Sequence, residues 1–252
     1  MRVRILAAIG IAAYAVCLVA TVPASLLAAR VADATGGAVE LAETQGTLWS
    51  GSARALVHAG GARIAIDRVE WRFAPLQLAA GRLACDAIVA AQGIDAKLTV
   101  GRSPSRWVVA AAAARIDAAL ASAWFPLLGP AHPEGTLGIT SSGLQVSGDG
   151  TARGALRVEW KDAAVAYSDV KPLGSYSLDA TAEDGPARFV VATSGGPLRI
   201  SGNGIFAPPS EIAFSGEARA EGADARALEP LLDLMGPRRP DGARSLELRG
   251  HL

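Results

Sequence analysis

This chain is poor in the residues that usually carry chemistry. Of 252 residues, three are histidine and two are cysteine. His58, His132 and His251 fall in separate segments, none beside a cysteine or a second histidine, so metal-ligand spacing is absent. A catalytic site needs several positioned partners, and none of the three has them in sequence. Cys17 lies in an apolar N-terminal run, which leaves Cys85 alone in the rest of the chain. That excludes an intramolecular disulfide there and predicts a small buried hydrophobe. Charge of one sign is also missing. Lysine plus arginine equals aspartate plus glutamate, 24 against 24, and Arg238-Arg239 is only a doublet in a turn, so nothing points to nucleic acid.

The familiar nucleophile and phosphate motifs fail in the same way. Leu48-Trp49-Ser50-Gly51-Ser52 lacks the Gly-x-Ser-x-Gly spacing of a nucleophile elbow. Gly202-Asn203-Gly204 lacks the strand-to-helix context and the lysine of a phosphate loop. Glu183-Asp184 and Glu211 read as solvated carboxylates in turns or on strand faces. The expectation is therefore no catalytic residue, no cofactor, no metal and no small-molecule substrate.

What the chain does have is repetition. Gly46-Thr47-Leu48 followed by Arg68-Val69-Glu70-Trp71 recurs as Gly135-Thr136-Leu137 followed by Arg157-Val158-Glu159-Trp160, offset by 89 at both ends (135 − 46; 160 − 71). A gap-free offset implies a duplicated folding unit. A second repeat overlaps it: Asp117 to Gly135 matches Asp224 to Gly242 at an offset of 107 (224 − 117; 242 − 135). Each match reads as a short helix, a Gly-Pro stop and a Pro-acid-Gly turn. After the last there is room for one strand, Ala243 to Arg249.

Arg2 and Arg4 precede an uncharged run from Ile5 to Ala29. Its most apolar part, Ile5 to Val22, is about 27 Å long as a helix, close to the roughly 30 Å of a bilayer core. The basic residues on its N-terminal side orient that terminus to the cytoplasm and export the remainder. A cleaved signal peptide, with Val22-Pro23-Ala24 as the cleavage site, competes with a retained anchor. The apolar run is longer than the usual signal core of roughly 7–15 residues, which favours the anchor.

The exported part reads as mainly β. Val69, Trp71 and Phe73 alternate with Arg68, Glu70 and Arg72, and Leu156, Val158 and Trp160 alternate with Arg157 and Glu159, as in antiparallel sheet with one face packed. Further strands are expected at Ala62–Ile66, Ile94–Val100, Arg106–Ala111, Gly143–Ser147, Ser175–Thr181, Ala187–Thr193, Leu198–Ser201 and Glu211–Ala220. Two helices are expected at Ile116–Leu128 and Asp224–Met235, each with an aspartate and a glycine as caps. Trp71 and Trp160 belong to the packed face. Trp49, among small and polar neighbours, is the tryptophan expected to be partly exposed and the candidate interface anchor. An open antiparallel sheet also has edges, which suit partner docking by strand addition.

Several spaced motifs together resemble one family. A basic start and an apolar span are followed by Gly46-Thr47-Leu48-Trp49-Ser50-Gly51, Val69 to Leu76, Gly81-Arg82-Leu83 and the stretch Leu127 to Leu137. This set is similar to protein N of the type II secretion system, the GspN family. The resemblance implies a single-pass inner-membrane component, accessory and without known enzymatic activity, in the machine that moves folded proteins across the outer membrane. Its implied partners are other secretion components, the inner-membrane platform or the outer-membrane secretin. No functional residue carries over, because the shared motifs read as packing and turn positions. The expected organisation is a cytoplasmic N-terminus and transmembrane helix over 1–30, a first periplasmic β repeat over 31–134, and a second over 135–252 with a truncated third start. The alternative is a periplasmic β-sheet protein that binds or transfers lipid.

Overall fold

The computed structural model describes residues 17–59, 62–74, 83–102, 106–124, 126–147, 151–207 and 211–251. The first part of the expected membrane span, residues 5–16, lies outside them, as do residues 75–82, which include the end of the Val69–Leu76 motif and Gly81-Arg82. Among the described residues no helix is long and apolar enough to cross a membrane.

The chain is mainly antiparallel β and divides into two units, 1–92 and 93–252. The boundary between contact units therefore falls at Gln92/Gly93, whereas the sequence repeat restarts at Gly135. The first unit holds helix α1 (Ser25–Ala34) and strands β1 (Val39–Gly46), β2 (Ser50–Ala59), β3 (Ala62–Phe73) and β4 (Leu83–Ala91). They pair in chain order as an antiparallel meander. Its core is small: Ala24, Ala53 and Trp71, with Leu27, Leu41, Val69, Phe73 and Cys85 packed against them.

The second unit holds β5 (Ile94–Arg102), β6 (Arg106–Asp117), α2 (Ala118–Trp124) with a 3-10 turn (Pro126–Ala131), β7 (Glu134–Ser147), β8 (Ala152–Ala164), β9 (Gly174–Gly185), β10 (Ala187–Gly195), β11 (Leu198–Ala207), β12 (Glu211–Ala220), α3 (Glu229–Met235) and β13 (Arg244–His251). These nine strands also pair in chain order. The 107-residue repeat is visible here as strand–helix–turn–strand, β6–α2–β7 and β12–α3–β13. Both helices sit at the same end of the sheet. The main core lies at that end, where Leu228, Leu231 and Leu232 of the α3 segment pack with Leu173, Leu198 and Ala218.

The expected helices are shorter than the sequence suggested. Strand β6 runs through Asp117, whose Oδ1 then accepts from Ala119 N at 3.0 Å and caps α2 as anticipated. Asp224 caps nothing at the start of α3, which begins at Glu229 with Pro230 in its first turn. A helix from Asp224 would have placed Pro230 in its interior, where the ring clashes and the N–H is missing. Gly236 is extended and not a left-handed cap; a Cβ there would strike Ser245 O at 2.0 Å.

Candidate interaction surfaces

The Gly46-Thr47-Leu48-Trp49 segment is a clasp. Gly46 has φ +89°, and a Cβ on it would lie 2.5 Å from Ser50 O, so only glycine fits. Thr47 N donates to Ser50 O at 2.9 Å, closing the turn. The turn then grips the end of the N-terminal segment. Leu48 N donates to Val22 O at 2.8 Å, Ala24 N donates to Gly46 O at 3.3 Å, and the Trp49 indole N–H donates to Val19 O at 2.7 Å. Trp49 is half-buried, as expected of a partly exposed residue, but its polar group is already used within the chain. Among the tryptophans whose burial is described, the exposed indole is that of Trp107, at 45 %. Its place beside a polar hairpin was the signal available in the sequence.

From below, Trp71 closes the same turn. It is buried at 5 % and its N–H points to Thr47 O at 3.3 Å and Leu48 O at 3.1 Å. In the second copy Trp160 donates to Glu134 O at 2.9 Å, next to Gly135, which has φ +104°. Each repeat thus ties an indole N–H to a carbonyl within two residues of its glycine. The packing around the two rings differs. Trp71 lies under α1, whereas Trp160 is half-buried with its ring 6.2 Å from that of Tyr176. The register differs too. Trp71 faces Gly51, but Trp160 faces Leu137 and not Thr140, the equivalent position.

The structure does not gather the sparse chemical groups. His58 lies on β2 in the first unit, with Nδ1 buried and unpartnered in the described structure. His132 has φ +42° in the turn before β7, and His251 ends β13. No group of three or more His, Cys, Asp or Glu able to hold a metal exists among the described residues. Cys85 is half-buried against the Trp71 cluster, and burial pushes its thiol pKa up. The Gly202-Asn203-Gly204 stretch is the middle of strand β11.

One expectation needs correcting. Asp184 is not simply solvated: it bridges Arg106 of β6, at 3.3 Å, and Arg153 of β8. A turn conformation (φ +55°) aims its carboxylate at both guanidinium groups. Arg244 is a further group that sequence alone does not mark. It is 7 % exposed, held by Asp233 of α3, and its Nε has no partner in the described structure.

Two surfaces stand open in the second unit among the described residues. The first is the outer edge of β13. Arg238 bridges to Arg244 and Ser245 N donates to Pro237 O at 3.0 Å, covering the start of that edge. From Leu246 onward β13 pairs only with β12 among the described residues, and Leu248 is 53 % exposed.

The second is a face of the nine-stranded sheet. Register carries a single row from Ala96 and Ala114 to Ile139, Val158, Leu178 and Val191, then to Gly202, Gly216 and Leu246. No charge interrupts it. One residue along, on the opposite face, the row includes Lys97, Thr140, Arg157, Asp179, Asn203 and Glu247. The rings of Phe189 and Phe214, 6.0 Å apart and nearly parallel, lie on the apolar side over glycines of β11 and β12. Ile139, Val158, Leu178 and Val191 are only half-buried, so the apolar row lacks the cover a second layer would give.

No curated protein and no solved structure matches the chain. A family model described as "Type II secretion system (T2SS), protein N" matches residues 37–247, from the residues just before β1 into β13. Those residues include the two glycine–indole latches and the sheet built around them. The chain belongs to the protein N family of the type II secretion system.

Proposed function

We propose that this protein is an accessory component of the type II secretion system that stays in the inner membrane through Ile5–Val22, with its N-terminus cytoplasmic, and docks other secretion components with its periplasmic β-sheet. The family match over 37–247 carries this reading. Two features of the fold support the finer parts. Leu18, Val19 and Leu26, which flank the clasp, are each more than half exposed, as suits residues entering a bilayer. The uncovered stretch of β13 from Leu246 offers backbone groups for an added strand of a partner. The platform or the secretin would be that partner, and the role requires no catalysis.

The test is made in cells. Deleting the gene should strand secreted proteins in the periplasm, and photo-crosslinkers at Glu247 or Arg249 should capture a component of the secretion machine. Normal secretion without any captured component would overturn the proposal.

A further inference from the structure

The apolar face of β5–β13 has a closed end and an open end. Helices α2 and α3 leave and re-enter the sheet at the end of Asp117 and Ala220, and Arg244 is held there by Asp233. At the opposite end the same face finishes in Trp107, with the Arg102 guanidinium 4.8 Å from its ring centre. Val109 and Val100, which pair with each other, connect these two residues to the apolar rows. Arg102 is exposed and pairs with no carboxylate among the described residues. An uncharged surface thus ends at one exposed cation stacked on an amphipathic ring, the arrangement that indole and guanidinium adopt where water meets hydrocarbon.

We propose that this face is a trough for the acyl chains of an anionic phospholipid, with the phosphate seated at Arg102 and Trp107. Charge complementarity selects this occupant. One cation at the mouth of a charge-free floor matches a molecule with one anionic head and an apolar tail. A second copy of the chain would set its Arg102 against either its twin or an uncharged floor. Length agrees. From Trp107 to Ile116 along β6 is about 30 Å at roughly 3.3 Å per residue, while one leaflet's acyl layer is about 15 Å, half the bilayer core. The chains therefore lie along the strands without reaching the helices. The Phe189 and Phe214 rings lie over the glycines of β11 and β12, so the chains rest on those rings and on Ala180, Leu178 and Val191 beside them.

The test uses the full chain in detergent. A benzophenone amino acid replaces Val191 on the floor or Val190, its 55 %-exposed neighbour on the opposite face. Each protein is irradiated with vesicles of phosphatidylglycerol or of phosphatidylcholine, and adducts are identified by mass. Position 191 should yield a phosphatidylglycerol adduct at least about tenfold above position 190. Arg102→Gln should lower that yield up to about fivefold, as loss of one exposed charge pair does, and lower the phosphatidylcholine yield less, because choline offsets the charge of its phosphate. Native mass spectrometry of the unlabelled chain and Arg102→Gln repeats the comparison without altering the floor. Equal adducts at both positions, no lipid at 191, a crosslink there to protein, or insensitivity to Arg102→Gln would each overturn the proposal. Secretion is not the readout, so the trough can fail while the docking role stands, and the reverse.

Discussion

The glycines of β11 and β12 give a test whose sign changes between two positions of one sheet. A Cβ added at Gly204 would lie 2.3 Å from Phe189 Cζ and 2.6 Å from Ala213 O. Phe189 is itself 8 % exposed and stacked with Phe214, so its ring has little freedom to retreat. The carbonyl belongs to the neighbouring strand and cannot move without breaking the ladder. Gly204→Ala should therefore cost about 1–3 kcal/mol, the usual range for overpacking. Gly138, in β7, has nothing nearer than Glu159 at 3.9 Å. There alanine meets ordinary contact and restricts the unfolded chain, so Gly138→Ala should stabilise by about 0.4–1 kcal/mol. Both positions lie in the unit 93–252, so calorimetry of the full chain reads them in one transition. Each kcal/mol should move its Tm by about 2–4 °C. In the double variant with Phe189→Leu, part of the Gly204→Ala loss should return, because one of the two obstacles is gone. If Gly204→Ala proves as benign as Gly138→Ala, the rings do not lie on the glycine floor and the account of this face is wrong.

Three further outcomes are expected. Trp71→Phe removes an N–H aimed at two carbonyls and should cost about 1–2 kcal/mol; hydrogen exchange should show the loss within β1–β4, and a loss in β5–β13 would contradict the latch. Trp49→Phe leaves Val19 O without its donor, so amides of residues 19–24 and the turn should exchange about tenfold faster, the equivalent of about 1.4 kcal/mol; unchanged exchange would remove Trp49 from the clasp. Burial pushes the Tyr176 pKa up to about 12, and its hydroxyl donates to Leu198 O at 3.0 Å. Below pH 10 both folded and unfolded chains keep that proton; between pH 10 and 12 only the folded one does, so stability should fall across that window by roughly 1–2 kcal/mol after allowance for solvent screening. Absorbance at 295 nm should show Tyr176 ionising at about pH 12, and a step near pH 10 that Tyr176→Phe removes would refute the assignment.

Strand chemistry was legible wherever large side chains alternate with charge. Val69, Trp71 and Phe73 face the core of the first unit, and the strand expected at Glu211–Ala220 has those bounds. Strands β1, β2 and β4 were not among those expected. Val39–Gly46 is rich in Glu, Leu and Ala, and Leu83–Ala91 has four alanines around a single Ile88-Val89 pair, so neither carries strong β propensity of its own. Pairing with neighbours imposes the extended form on them, a tertiary effect that local composition does not encode. Lipid binding by the β-sheet was the alternative reading, but the place of an apolar trough was not legible, for a related reason. Part of its face in β11 and β12 is built on Gly202 and Gly216, which read in sequence as turn residues and become part of an apolar row only once seven other strands are in register beside them.

The comparison of the two copies shows which part of the repeat is structural. Between them the partner strand has slid by three residues, and one copy is entered from a turn after β1 while the other opens a strand directly. A slip of that size changes which side chains meet across the ladder, and the neighbours of the two tryptophans differ accordingly. Yet in both copies the indole N–H ends on a carbonyl beside a glycine of positive φ. The repeated element is thus the latch and not the ladder. In the first unit the latch fastens the sheet to the end of the apolar N-terminal segment. In the second it fastens β8 to the start of β7, just after α2 and its 3-10 turn. A single device has two uses: it sets where the first sheet meets the N-terminal segment and where β8 meets the start of β7.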